Sequence, residues 1–395
     1  MIARGGHREK RATEHTRTQS KSVFPGVSVS PWLICSVSSC ALCVLLAAPA
    51  FAQGRITNAK TETRSAAQGL DREVRAAAAR GGVTWIGYRM PMVAGPRQMC
   101  CFDTISDSSF SGGMCRLESG GGISMNSGDM RDRNGLRVTL EPATEFLVMA
   151  RFENGTVSRV RTFTPDCDVD ATAMPLVWLN DVKPDESVSW LASLVTASPD
   201  SGERHDRVGK TAMSAVALHN IPSADRALEA FVAPASPEWL RAETAFWLGH
   251  ARGEAGARLL ARMIANDPSD KVRDKVAFGL STSKTPLALT TLIAAAKDDK
   301  SPRVRSQALF WLAQKAGKEA MAVISGAIDN DPDTEVKKKA VFALSQLPKD
   351  EGVPRLMEVA RNNRNPAVRK QAMFWLGESK DPRAVKFFEE ILNRK

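Results

Sequence analysis

The sequence is poor in the residues that most enzyme chemistry uses. Its 395 residues hold five histidines and one tyrosine. Beyond residue 52 the histidines are His205, His219 and His250, scattered along the chain and expected at surface or capping positions. No His-Glu-x-x-His pair or Gly-x-Ser-x-Gly elbow occurs, which removes the common zinc proteases and serine hydrolases. Beyond residue 52 no Cys-x-x-Cys pair offers a zinc site. The runs Gly112-Gly113 and Gly120-Gly121-Gly122 lack the Lys-Ser/Thr that completes a phosphate loop. Asp166, Asp168 and Asp170 begin like a calcium loop, but Ala171 and Val177 stand where Gly and Glu are needed. No catalytic, cofactor-binding or metal-ligating set is predicted, and the chain reads as non-enzymatic. The lone Tyr88, beside Trp85, is expected in the core.

Long apolar runs are also missing, so no transmembrane segment is expected in the mature chain. Residues 1–52 carry six basic residues, then the short apolar run Ala41 to Ala48, then Ala50-Phe51-Ala52 before Gln53. This is the pattern of a cleaved signal peptide and predicts export to the periplasm or the extracellular space. Val37-Ser38-Ser39-Cys40 only loosely matches a lipoprotein site, because the most apolar residues follow Cys40. Cleavage leaves Cys100, Cys101, Cys115 and Cys167 as disulfide candidates in an oxidising compartment. Neighbouring cysteines close a strained ring. Cys100 and Cys101 are therefore expected to pair outward, to Cys115 and Cys167 in some order.

What the chain does have is periodicity. Phe246-Trp247-Leu248, Phe310-Trp311-Leu312 and Phe374-Trp375-Leu376 lie 64 residues apart, with Phe278-Gly279-Leu280 and Phe342-Ala343-Leu344 midway, so the period is 32. With Leu240, Val272, Val304, Val336 and Val368 as position zero, position eight is leucine in all five copies. Position four holds Thr244, Val276, Ala308, Ala340 and Ala372. These offsets share one helix face. Positions twenty and twenty-four, from Leu260 and Ile264 to Phe388 and Leu392, mark a second amphipathic helix. A weaker copy precedes them, from Val208 to Val232, with Ser214 in place of the phenylalanine, and Glu186–Thr196 reads as a capping half unit. A helix pair cannot bury its own apolar face, so stacked copies form an α-solenoid.

These repeats resemble the HEAT-repeat family, in the short bacterial form similar to that of phycobilisome lyases. The resemblance covers residues 203–395 and implies an Asp before each first helix and an Arg six residues later, forming a ladder between loops. The matching pairs are Asp267/Arg273 and Asp299/Arg305, with the departures Asp331/Lys337 and Asn363/Arg369. As a whole the chain resembles exported bacterial HEAT-repeat proteins. Iron-dependent hydroxylases built on such repeats use His-Glu pairs in successive repeats, and none occurs here.

On a helical wheel Trp247, Trp311 and Trp375 fall toward the core, alternating with the small Gly279 and Ala343. Phe246, Phe278, Phe310, Phe342 and Phe374 fall on the other side and form a line along the outer helices. They either fill the seams between those helices or make a partly exposed ridge for a partner. Basic charge is the other candidate surface. Residues 203–395 carry 32 Lys/Arg and 24 Asp/Glu, net +8, against net −2 for residues 53–202. Lys337, Lys338, Arg361 and Arg364 are the clustered members considered for binding. An exported protein rarely meets nucleic acid, so an acidic partner or anionic surface is the relevant reading.

The predicted organisation is a signal peptide at 1–52 and an N-terminal helix within 53–80, spanning 64–80. A small β-rich domain with the cysteines follows at 81–175, then a capping helical segment at 176–202 and the solenoid at 203–395. In the β-rich part Glu145–Phe163 reads as a hairpin about Asn154-Gly155 with a bulge in its second arm. Val83–Tyr88 and Leu136–Leu140 are further strands, and 105–135 is a loop. The functional expectation is a scaffold or adaptor for a protein partner in the cell envelope. A small-ligand or lyase-like pocket between the β domain and the first repeats, and binding of anionic cell-surface polymer, are the alternatives.

Overall fold

A computed structural model describes residues 55–95, 98–101, 115–118, 123–126, 143–197, 206–315 and 317–393. The segment 1–52 expected to be a signal peptide, the strand expected at 136–140, His205 and the greater part of the loop expected at 105–135 lie outside these residues.

Runs of β-branched and aromatic residues build the first half. In chain order its elements are β1 (Arg55–Thr57), β2 (Lys60–Ser65), α1 (Leu70–Ala78), β3 (Val83–Pro91), β4 (Gln98–Cys101), β5 (Cys115–Arg116), β6 (Ile123–Asn126), β7 (Glu145–Glu153), β8 (Thr156–Phe163), β9 (Asp168–Asp170), β10 (Pro175–Asn180) and α2 (Pro184–Thr196). The main sheet has the order β2-β10-β3-β7-β8; β1-β9-β5 and β4-β6 form two small sheets. β7 and β8 are the expected hairpin. Asn154 (φ 51°) and Gly155 (φ 82°) make its turn, and Arg151 faces Arg159 while Phe152 faces Val157, which leaves Ser158 as the extra residue of the bulge.

Both faces of the main sheet are covered, which is why its central strands read as nearly continuous apolar runs rather than alternating ones. Ile86, Tyr88, Phe146, Val148 and Val177 pack beneath the helices and share one core with the solenoid. Trp85, Leu147, Met149, Phe163 and Trp178 pack on the other face with Cys115, Leu117, Cys167 and Val169. A Cβ on Gly87 would come within 2.7 Å of the Met149 sulfur and 3.0 Å of the Trp178 ring, so glycine lets Trp178 lie across β3.

Three expectations need correction. The helix predicted over 64–80 begins only at Leu70; Lys60–Ser65 is instead a strand paired in parallel with Pro175–Asn180. Accordingly Leu176–Leu179 belongs to the sheet and not to the capping helical segment. Within the predicted loop, Cys115–Arg116 and Ile123–Asn126 are short strands. In each case a distant partner supplies the backbone hydrogen bonds, and this outweighs local propensity.

The second half is helical: α3 (Asp206–Leu218), α4 (Pro222–Phe231), α5 (Glu238–Ala251), α6 (Gly253–Asn266), α7 (Asp270–Thr282), α8 (Pro286–Asp298), α9 (Pro302–Lys315), α10 (Gly317–Asn330), α11 (Thr334–Ser345), α12 (Lys349–Asn362), α13 (Pro366–Glu378) and α14 (Pro382–Leu392). Odd-numbered members are the first helices of six pairs. The anchors at positions zero, four and eight of the five strong copies are all buried, none above 4% exposed. Turn residues start many of the helices. Ser269, Thr285, Asp333, Asn365 and Asp381 each accept a backbone N–H of the helix that follows. Position twenty-four loses its cover at the last copy, where Leu392 is 83% exposed.

Candidate functional site

Position six of each first helix points along the row of first helices, and the rings meet. Phe246 stacks on Phe278 at 5.6 Å and Phe310 on Phe342 at 6.0 Å, with planes 18° and 6° apart. Trp311 closes the gap between the pairs at 4.6 Å from Phe278, and Trp375 lies 4.9 Å from Phe342. His250 stacks on Phe246 at 5.2 Å and extends the line at its start. The five phenylalanines thus form one continuous aromatic row. Four are half-buried and Phe374 is 55% exposed. Each ring fills a seam with one edge and meets solvent with the other.

The tryptophans depart from their expected core position. Trp247 is buried, but Trp311 and Trp375 are only half-buried. Each of the latter leans out over the phenylalanine of the preceding repeat. Trp247 has no such neighbour, because Ser214 occupies that position. The covered indole Nε1 atoms of Trp311 and Trp375 have no hydrogen-bond partner among the described residues, at a cost of about 1–3 kcal/mol each. The alternating small residues follow from close approach: a Cβ on Gly279 would collide with the Ala245 carbonyl oxygen, so α5 and α7 touch backbone to backbone.

Beside this row lies an open groove of about 450 Å³ between α9 and α11, lined by Ser306, Gln307, Phe310, Lys339 and Phe342, with Arg303 and Glu335 at its rim. Arg303 is held by Asp274 at 2.8 Å, and Glu335 by Lys338 at 2.9 Å. A second groove of about 590 Å³ runs between α6 and α8 on the second-helix side, where Ala261, Ala265, Thr290 and Ala294 leave room.

The basic residues do not gather into one patch. Lys338 is on the first-helix side, whereas the Lys337 ammonium donates to the Asp329 carbonyl at 2.8 Å. Arg361 lies on α12, pairs with Glu390 of α14 and covers the Phe387 ring at 5.0 Å. Arg364 is exposed in the following loop. Two cations instead cap helix ends. The Lys315 ammonium donates to the Leu280, Ser281 and Ser283 carbonyls, and partial burial lowers its pKa. Arg252 donates to the Ala217 and His219 carbonyls at the end of α3 and pairs with Asp225. The Asp/Arg ladder is present and continuous from Arg241 to Asp331; each guanidinium grips the carboxylate of the next loop. It stops at Lys337, and among the described residues Arg369 bonds the Asn363 and Arg364 carbonyls.

Where the sheet meets the first repeat, a ligand pocket was one expectation. Among the described residues, packed side chains meet at that junction. Tyr88 of β3, Ser187 of α2 and His219 of α3 are fully buried and linked: Tyr88 Oη to Ser187 Oγ at 3.0 Å, and Ser187 Oγ to His219 Nε2 at 3.0 Å. His219 Nδ1 lies 2.7 Å from the Ala215 carbonyl, and Phe146 packs edge-on against the ring. Burial lowers the His219 pKa to about 4 and raises that of the Tyr88 phenol. His219 is thus an internal neutral group, not at the surface; of the two positions expected it takes the capping one, at the end of α3. The serine-histidine pair has no surface exposure and serves to join sheet to solenoid. Nothing in the sequence marks this trio, since its members are 99 and 32 residues apart.

Cys100 and Cys167 form a disulfide, one of the outward pairings expected, and Cys115 is also disulfide-bonded. The Cys101 side chain lies outside the described residues. Of the would-be calcium ligands, Asp168 faces Arg55, while Asp170 accepts from Asn58 Nδ2 and the Thr172 amide and so holds the turn after β9.

Residues 224–313 and 320–395 match the family model of HEAT repeats. A comparison with curated proteins finds no match. Among solved structures, the CpcE–CpcF complex of phycocyanin lyase from Nostoc sp. PCC7120 aligns at 24% identity, covering 39% of this chain and 98% of that chain, TM-score 0.31. Escherichia coli YibA aligns at 19% identity, covering 54% and 82%, TM-score 0.36. Human deoxyhypusine hydroxylase aligns at 16% identity, covering 53% and 91%, TM-score 0.23. At these TM-scores none of the three bears on function.

Proposed function

From a chain whose residues 224–395 are HEAT repeats, we propose a non-catalytic scaffold that binds a protein partner across the first-helix side of its solenoid. The observation that carries this reading is the aromatic row. Five phenylalanines in successive repeats fill the seams between first helices with one edge and keep the other edge in solvent, where a partner can meet it. A rigid row of rings over several stacked helices suits a long partner segment and loses little entropy on binding. The basic front and Ala-x-Ala exit of residues 1–52 support export, so the partner belongs to the cell envelope. Native mass spectrometry of the mature protein, isolated gently from its own envelope, tests this. A second polypeptide on the wild type that is lost from Phe310→Ser supports the proposal. A retained mass of a few hundred daltons, with no polypeptide, removes it in favour of a small-ligand role.

A further inference from the structure

The aromatic row has a second periodicity. Three residues before the five phenylalanines, on the same helix face, stand Glu243, Lys275, Gln307, Lys339 and Gln371. Lysine accompanies the repeats whose next residue is small, Gly279 and Ala343. Glutamine accompanies those with Trp311 and Trp375. The ring geometry has the same beat, since each stacked phenylalanine pair ends on a lysine-bearing repeat, at Phe278 and at Phe342. The surface is therefore built in two-repeat modules, each with an aromatic pair and a lysine, to which the first adds Glu243 and the second the amide of Gln307.

At positions two and three of α7, α9, α11 and α13 the charge left over is basic. Asp274 is neutralised by Arg303, and Glu335 by Lys338. Lys275, Lys339 and Lys370 are exposed and form no ion pair among the described residues. Lys339 stands in the groove between α9 and α11, with Phe310, Phe342 and Gln307 around it. Such a groove offers an apolar floor, an amide that both donates and accepts, and one cation at its wall.

We infer that this face takes an acidic, apolar-bearing polypeptide segment of the partner, laid across the first helices. An apolar side chain would sit on Phe310 and Phe342, with a neighbouring carboxylate on Lys339 and a second on Lys275. Helices pack about 8–10 Å apart, so the two lysines recur at a spacing of about 20 Å, the length of about six residues of extended chain. An ion pair at the edge of an apolar groove is stronger than one in open water, and the paired charges around it reject a basic segment. This inference rests on the scaffold reading and narrows it to one face and one partner chemistry.

The test uses the mature full-length protein and three fluorescein-labelled 14-residue peptides. One is rich in Glu, Leu and Phe, the second replaces each Glu by Lys, and the third replaces Leu and Phe by Ser. Fluorescence anisotropy should show binding of the first alone, weakened about ten-fold by Lys275→Glu/Lys339→Glu and by raising salt from about 0.05 to 0.5 M. Both lysines are exposed, so the doubly substituted protein should keep its helical circular dichroism. The inference is overturned if the Lys peptide binds as well as the Glu peptide, if no peptide binds, or if the double substitution changes nothing. The same variant separates the two proposals. A partner held by wild type and variant alike leaves the scaffold standing and removes this acidic site. A wild type without any polypeptide partner removes the scaffold reading itself.

Discussion

The Arg273 guanidinium holds the Asp299 carboxylate through two bonds, Nε to Oδ2 at 2.9 Å and Nη2 to Oδ1 at 3.1 Å, and its remaining nitrogen donates to the Asp267 carbonyl at 2.9 Å. The two side chains are only 2% and 5% exposed. One arginine thus ties its own entry loop to the next one, and repetition of this link by Arg241 and Arg305 sets the rise from repeat to repeat.

Removing one partner of such a pair strands a buried charge. Arg273→Ala should cost about 3–5 kcal/mol in urea unfolding. The ladder's end offers the converse. Lys337→Arg with Asn363→Asp should restore the missing rung, and a double-mutant cycle should show a favourable coupling of about 0.5–3 kcal/mol. Strict additivity would mean that the last loop is spaced differently.

His219 makes stability depend on pH. Its folded pKa is about 4 against an ordinary value of 6.5. Between these values the unfolded chain binds a proton that the folded chain refuses. Stability therefore falls as pH drops from 6.5 to about 4, by about 3 kcal/mol in all. Denaturation at several pH values should show a shallower fall in His219→Gln than in the wild type. Equal slopes would place the effect on carboxylates elsewhere.

Gly249 and Gly279 lie where α5 meets α7. A Cβ on Gly249 would collide with the Gly279 carbonyl oxygen, a backbone atom that cannot swing away. Gly249→Ala should lower stability by about 1–3 kcal/mol, although alanine is the better helix former. A rise in melting temperature would show that the helices separate easily.

The Cys100–Cys167 bond closes a loop of 67 residues. In chain-entropy terms it contributes about 4 kcal/mol. Cys167→Ser should lower the first thermal transition and leave the solenoid's helical signal at that temperature. Loss of both together would show that sheet and solenoid unfold as one unit.

Phe278 and Phe374 share a repeat position but not an environment. Phe278 lies between Phe246 and Trp311, whereas Phe374 is 55% exposed. Phe278→Ser should cost about 3–5 kcal/mol and Phe374→Ser under about 1 kcal/mol by calorimetry. Equal losses would mean that the last repeat is covered in solution.

The amino-acid order alone determined the solenoid. A 32-residue beat of apolar anchors specifies helix pairs, their register and their buried faces, because each contact is local or one repeat away. It placed the phenylalanine row for the same reason, and it marked the Asn154-Gly155 turn. Tertiary structure decided the rest. Lys60–Ser65 is a strand only because Pro175–Asn180 lies beside it. Trp311 and Trp375 leave the core because a phenylalanine of the preceding repeat waits outside. Tyr88, Ser187 and His219 meet only when sheet packs on solenoid. Each of these outcomes depends on a partner remote in the chain, and local periodicity carries no information about such partners.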